Sequence, residues 1–399
     1  MTNQRVATAR TLVILLAVGH LVSDFYALML SWLVPDFRDA FALSNAQVTG
    51  IVALSGIFNS MSQPFFGYAA ERTARRKLYI VFGTFLAGVM SLMGLASNLW
   101  LFIAVVLVGS MGVGIFHPTG AAEVFAIVGP RDKIGRSLFA MAGGIGMAIG
   151  PILVMGIVSY GGLRATWTVF APAAILATIF ACLLPSSDRP VKRPHVNGNI
   201  LGAHPKHVVI VGILFIAVIL RSTAAGGLNP LIALRCDELG YGRHIRGYIL
   251  SLMALFGFVG GMLGGYLSGK IGSKAIMVCS CFCAAPALYA SVAGESWLSW
   301  VLLPCATFSL AFAMPHFVMA AQELMPERAG TVSGLMMGMA WSIAGLLLPI
   351  FGKITDVCNA RVAIQVLAIL PIPAGILVLF IKGAMLDAGS QEEDTPAKK

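Results

Sequence analysis

Charge is what this sequence is shortest of. Only 11% of its 399 residues are Asp, Glu, Lys or Arg, and the acids number 17. A soluble domain carries about a quarter charged residues, so composition excludes a water-facing globular protein. Sequence signatures of cofactor and metal sites are missing too. No GxxxxGK[ST] loop and no HExxH, HxxxH or CxxC spacing occurs, which argues against a nucleotide-driven pump, a membrane metalloprotease or desaturase, and a thiolate metal centre. His204 and His207 stand in a polar stretch without a third ligand nearby. Cys279, Cys281 and Cys283 alternate at a spacing of two. On a helix that turns them about 200° apart, so they read as small apolar filler. No metal and no cofactor is expected.

What fills the space is apolar residue. The chain is 58% hydrophobic with a mean hydropathy of +0.87. Twelve apolar segments of 19 or more residues can be marked, at about 11–33, 45–68, 77–97, 99–123, 137–160, 164–184, 207–229, 245–269, 275–293, 298–323, 330–352 and 362–383. Each is long enough to cross a bilayer as a helix. The run 11–33 is too long for the core of a cleavable signal and reads as the first span. The expected fold is an all-α membrane protein of twelve transmembrane helices in two pseudo-symmetric six-helix bundles. The expected bundles are 1–184 and 207–385, joined by a cytoplasmic linker at 185–206 that is rich in Pro, Gly and charge. A polar tail, 386–399, is expected to be disordered.

The net charge of +10 is scattered through short loops, not gathered on one surface, so no nucleic-acid partner is expected. Counted by loop, one side of the membrane holds 19 Lys and Arg against 7 on the other, with Arg221 inside a span. The bias places both termini and the linker in the cytoplasm. The partners expected are the lipid bilayer, a small-molecule substrate and protons.

Two loops organise the chain. GYAAERTARRK runs from Gly67 to Lys77, and a fainter copy, GYLSGKIGSK, runs from Gly265 to Lys274. The two lead glycines are 198 residues apart, half the chain, which marks a duplication. Glycine is the second signal. Gly257, Gly261, Gly265 and Gly269 recur every four residues, a stripe expected to let helices approach closely. Gly146, Gly150 and Pro151 do the same in the fifth span, with a proline bend.

These residues resemble the major facilitator superfamily of secondary transporters, over nearly the whole chain. The family's loop motif, near G-x-x-x-D-R-x-G-R-R, is filled by Gly67, Glu71, Arg72, Arg75 and Arg76, with Glu71 for the usual Asp and Ala74 for the second Gly. In the second half Gly265, Lys270, Gly272 and Lys274 fit. The resemblance implies that these residues brace a cytoplasmic gate. Gly146, Gly150 and Pro151 look like the antiporter motif of drug exporters, although its trailing Gly-Gly is replaced by Val154 and Met155. GHLVSD, Gly19 to Asp24, and GIFHPTG, Gly114 to Gly120, resemble the fosmidomycin-resistance subgroup through His20, Asp24, Phe116, His117 and Pro118. Thr119 stands where that subgroup has Glu.

Ionisable groups at membrane depth are costly and hence functional candidates. Asp24 lies near the middle of the first span, and His20 is one turn earlier on the same face. Arg221 lies at similar depth in the seventh span and invites pairing with Asp24. His117 and His316 mirror each other beside Pro118 and Pro315, where freed backbone groups need partners. Glu123 and Glu323 sit at the cytoplasmic ends of the same spans, where pairing with loop arginines such as Arg131 or Arg328 is expected. Asp24, His20, His117 and Glu123 are the candidates for proton coupling. Arg221, Asp24, His117, His316 and Asn229 are the candidates for substrate contact.

The expected function is proton-coupled efflux of a small organic molecule, anionic, phosphonate-like or drug-like, by alternating access. The chain is expected to act as a monomer in a bacterial inner membrane. Import of an organic anion by proton symport and export of a lipid or lysolipid share every feature above, whereas an enzyme is disfavoured.

Overall fold

The computed structural model describes residues 3–72, 75–129, 132–185, 204–267, 271–294 and 297–382. Lys270 and Gly269, most of the expected linker and the tail lie outside them. Among the described residues all regular structure is helical: α1 (Asn3–Ala27), α2 (Met29–Trp32), α3 (Val34–Ala40), α4 (Asn45–Arg72), α5 (Arg76–Val89), α6 (Leu99–Val128), α7 (Lys133–Gly161) and α8 (Phe170–Leu183) come first. Then follow α9 (Pro205–Glu238), α10 (Arg243–Leu267), α11 (Ser273–Ser291), α12 (Trp297–Leu324), α13 (Ala329–Ser333), α14 (Ala340–Leu346), α15 (Leu348–Val357), α16 (Ala360–Leu367) and α17 (Pro371–Leu379). A π-helical turn, Gly334–Met339, bridges α13 and α14; its wider winding lets the chain bend without losing its hydrogen-bond ladder.

Helix ends are set by local chemistry. Ser44 and Gln47 form a reciprocal capping box at the start of α4: each backbone N–H donates to the other's side chain, at 2.8 and 3.1 Å. Asn98, Asp132 and Asn359 cap α6, α7 and α16, each accepting a backbone N–H at 2.9 Å. Gly129 and Gly162 close α6 and α7 with φ of +74° and +66°, a conformation glycine adopts without a Cβ penalty.

Eleven of the described segments are long and apolar enough to cross a membrane, one fewer than the twelve expected. The difference is α4. It is a 28-residue helix, but Asn59, Ser60, Ser62, Gln63 and Pro64 dilute its apolar character. The first span is also shorter than expected. α1 ends at Ala27, and the chain re-forms as α2 and α3 before Ala40, so Asp24 lies in the last turn of α1 and not at the middle of an 11–33 helix.

The chain divides into two compact units. One contains residues 1–192 and 233–255, the other 193–232 and 256–399. In the first, α1 packs on α6 and α7, α4 on α6, and α5 on α6 and α8. Leu16, Ile80, Phe116, Val124, Phe139 and Phe180 are core residues there. Close helix approach rests on glycine. A Cβ at Gly146 would lie 2.1 Å from the Leu21 carbonyl oxygen, and one at Gly150 would lie 2.1 Å from the Trp32 ring. In the second unit α11 packs on α12 and α17 around a core that includes Leu214, Val218, Met277, Phe317 and Met336.

The expected glycine stripe on α10 is displaced. A Cβ at Gly257 would meet nothing within 4 Å, and those at Gly261 and Gly265 would have only ordinary contacts at 3.9 and 4.0 Å. The glycines that let α12 in are Gly260 and Gly264, where a Cβ would lie 2.5 and 2.1 Å from the carbonyls of Phe308 and Phe312. A shift of one residue turns the packing face by about 100°, and both stripes repeat every four, so periodicity alone does not choose between them.

Candidate functional site

Three helices of the first unit converge on Asp24. α1 presents His20 and Asp24 one turn apart, α6 presents His117, and α7 contributes the Phe139 backbone and Gly143. His117 Nε2 lies 3.0 Å from Asp24 Oδ1, and His20 Nε2 lies 3.5 Å from Asp24 Oδ2. His20 donates from Nδ1 to the Phe139 carbonyl at 2.7 Å, and its ring stacks on that of Phe139 with centroids 4.5 Å apart. A carbonyl only accepts, so this bond fixes the Nδ1 proton and turns Nε2 toward the carboxylate. The two imidazoles meet edge to face at 5.0 Å. Gly143 makes room for the group: a Cβ there would sit 2.1 Å from Asp24 Oδ2. Asp24 is buried, so its charge depends on these neighbours. Thr119, where the resemblance led one to expect an acid, turns its hydroxyl back to the Ile115 carbonyl at 2.8 Å and adds no charge.

The two organising loops share a packing relation. A Cβ at Gly67 would lie 3.2 Å from Pro118, and one at Gly265 would lie 4.0 Å from Pro315. Each unit thus sets its loop glycine beside the proline that adjoins its mirrored histidine. The basic residues then diverge. Arg76 lies 3.4 Å from Glu123, with both side chains buried, and reaches the Ala122 carbonyl. Glu123 therefore pairs with an arginine of the loop motif itself, while Arg131, one of the partners expected, lies outside the described residues. Burial decides this, because a carboxylate that far from water needs a cation on an adjacent helix. Lys274 instead caps a helix end: its ammonium donates to the carbonyls of Leu379 and Ile381, just past α17, where orphan acceptors attract a cation. Glu71 and Arg72 close α4, and Arg75 immediately precedes α5.

Asp24 has the two histidines, whereas the buried Arg221 donates to the Leu310 carbonyl through Nε, at 2.8 Å, and through Nη2. Its Nη1 reaches Ser222 Oγ and Met314 Sδ. All these partners are neutral. They lie on α9 itself and on α12 in the turns before Pro315, where the missing N–H loosens the ladder. His316 is fully buried, with Nδ1 3.4 Å from Ser273 Oγ. Asn229, half-buried, precedes Pro230 within α9.

A charged cluster escaped the sequence reading altogether. Asp36 of α3 accepts from Arg243 Nε at 2.7 Å and from Arg246 Nη2. Arg38 bridges to Asp237 at 2.8 Å. Both pairs lie within the first unit. All but Arg246, which stands at the start of the segment 245–269, fall between apolar segments, where isolated charges read as solvated loop. Only the pairing across some 200 positions reveals them. Phe139 was missed for another reason, since it acts partly through its backbone carbonyl.

Helices of membrane-crossing length, a duplicated loop and a buried carboxylate–imidazole centre define a polytopic transport protein. The sequence pattern of the Major Facilitator Superfamily matches residues 16–349, and the chain belongs to that family; it is a membrane transporter and not an enzyme. It is similar to the fosmidomycin resistance protein of Escherichia coli (strain K12), 27% identical over 376 residues, covering 92% of this chain and 91% of that one. It is also similar to the multidrug resistance protein MdtG of Yersinia enterocolitica, 27% identical over 234 residues, 56% of this chain and 55% of that one. Among solved structures, a bacterial homolog of the human lysosomal transporter Spinster, inward-facing and unoccupied, superposes with a TM-score of 0.74. It is 15% identical and covers 96% of this chain and 97% of that one.

Proposed function

We propose that this chain is a proton-coupled exporter of a small organic molecule, working by alternating access in a bacterial inner membrane as a monomer with both termini cytoplasmic. The observation that carries the reading is Asp24, buried in a membrane-crossing helix and held between His20 and His117. A carboxylate there is costly to bury and hence a functional candidate, and two imidazoles give an incoming proton a path onto it and off it. Glu123, paired with Arg76, is the further group that the coupling step can draw on.

Two features support an anionic or drug-like substrate. Arg221 carries a positive charge that its neutral partners, the Leu310 carbonyl, Ser222 and Met314, leave uncompensated, which suits a phosphonate or carboxylate. His316 and Asn229 are assigned to the same substrate-contacting role. The resistance proteins it resembles favour export over import. The loop residues Gly67, Glu71, Arg72, Arg75, Arg76, Gly265, Lys270 and Lys274 are assigned to the gate, and Gly146, Gly150 and Pro151 of α7 to a bending motif in the helix that packs on α1.

Purified protein in liposomes with an imposed proton gradient and an internal pH dye tests this. Fosmidomycin and other anions are added singly to wild type and to Asp24→Asn. Substrate-dependent proton flux lost in the variant is the expected result. Flux that survives the substitution moves coupling to His117 or Glu123, and no flux with any anion removes the assigned role of Arg221.

A further inference from the structure

His20, Asp24 and His117 also have the donor set of a metal centre. Their ligand atoms, two imidazole nitrogens and a carboxylate oxygen, all lie within 4.8 Å of one another. His117 Nε2 lies 3.0 Å from Asp24 Oδ1 and His20 Nε2 lies 3.5 Å from Asp24 Oδ2, so each nitrogen faces its own oxygen of the carboxylate at close to the roughly 3.3 Å between ligands held tetrahedrally about 2.0–2.1 Å from a zinc-like ion.

Three further observations bear on the same point. First, His20 Nδ1 donates to the Phe139 carbonyl, the outer contact that orients a metal-ligating imidazole and fixes its tautomer. Second, that tautomer faces two acceptors toward each other: the Nε2 lone pair of a neutral His20 looks at Asp24 Oδ2. A cation between them removes the repulsion. Third, His117 Nε2 is buried 3.0 Å from Asp24 Oδ1 and has no other partner among the described residues. Gly143 lets the carboxylate and the imidazole lie close against α7, since a Cβ there would sit 2.1 Å from Asp24 Oδ2 and 3.0 Å from His20 Nε2. Around the centre, α1 supplies His20 and Asp24, α6 supplies His117, and α7 supplies a carbonyl and a glycine.

We propose that His20, Asp24 and His117 bind one divalent transition-metal ion of the class that prefers imidazole and carboxylate ligands, such as zinc, cobalt or nickel. Thiolate-seeking ions are disfavoured by the donor set. Ligands must shed their protons to bind a metal, so the ion competes with protons at the centre. The inference uses the residues of the proposed coupling site and adds a ligand to them.

The test is a Co²⁺ titration of the full-length protein in detergent, followed by visible absorption. It is carried out in a His204→Ala/His207→Ala background, because those two rings lie 5.5 Å apart and form a rival imidazole pair. The expected result is one Co²⁺ per chain without thiolate charge-transfer bands. Asp24→Asn, His20→Gln and His117→Gln should each weaken binding by at least about tenfold. Size-exclusion profiles and thermal midpoints identify any variant that has merely failed to fold. Binding that disappears in the His204/His207 background, shows thiolate bands, or survives Asp24→Asn and His117→Gln overturns the proposal. So does no binding at all. The titration needs no gradient, so its failure leaves the proton reading intact. Conversely, Co²⁺ binding without substrate-driven proton flux would sink the proton reading alone.

Discussion

Asp36 and Arg246, 210 residues apart in sequence, form an ion pair in which both side chains are nearly dry, at 5% and 4% exposure. Arg246 is further held against Met155 Sδ at 3.4 Å. Arg243 grips the other oxygen of Asp36 but is 44% exposed. The pair ties the start of α10 to the segment that follows α1. The two arginines should therefore differ sharply. Arg246→Ala removes the buried cation, leaves Asp36 only the partly exposed Arg243 and should cost about 1.5–3 kcal/mol, whereas Arg243→Ala should cost at most about 1 kcal/mol. Unfolding in detergent, compared between the two variants, measures the difference. Equal losses would mean that Asp36 is not held as described.

The Arg76–Glu123 pair makes a similar prediction with a different control. Arg76→Met alone should destabilise by about 3–5 kcal/mol, and the double variant Arg76→Met/Glu123→Gln should recover most of that loss. A double-mutant cycle on thermal midpoints decides it. Strict additivity would show that the two side chains do not interact.

Glycine positions on α10 separate packing from pattern. Gly264→Ala places a methyl group 2.1 Å from the Phe312 carbonyl and should cost about 1–3 kcal/mol. Gly257→Ala has open space and should stay within about 0.5 kcal/mol of wild type. Midpoints of purified variants suffice, and a reversed order would restore the stripe expected from periodicity.

Arg221→Met separates stability from transport. The apolar chain removes a buried charge that no carboxylate among the described residues balances, so the thermal midpoint should hold or rise. Anion-dependent flux in liposomes should fall at least about tenfold, in line with losing a charged contact worth about 1.5–3 kcal/mol. A lower midpoint with unchanged flux would make Arg221 a structural brace for α12.

Most of the architecture was legible from composition and periodicity. Lipid makes every backbone group seek its partner within its own segment, so long apolar runs alone specify helices. The duplicated loops, 198 residues apart, point to the matched Gly67–Pro118 and Gly265–Pro315 contacts because duplication copies spacing along with residues. His20 and Asp24 were legible as a pair, since one turn of helix sets their separation.

What the sequence could not supply is rotation and long-range pairing. Which glycine stripe of α10 meets α12 depends on a turn of about 100° that period four leaves open. Glu123 has Arg76 and Asp36 has Arg246 because burial demands an opposite charge within reach, and reach is settled only when distant helices pack. The sequence by itself determined that this chain lies in a membrane, that one loop pattern recurs half a chain later, and where its costly charges fall; the first and last follow from the price of polar groups in lipid. The tertiary structure alone decided which charges meet, because helix packing brings α6 and α7 to Asp24 and sets Arg221 against the α12 backbone.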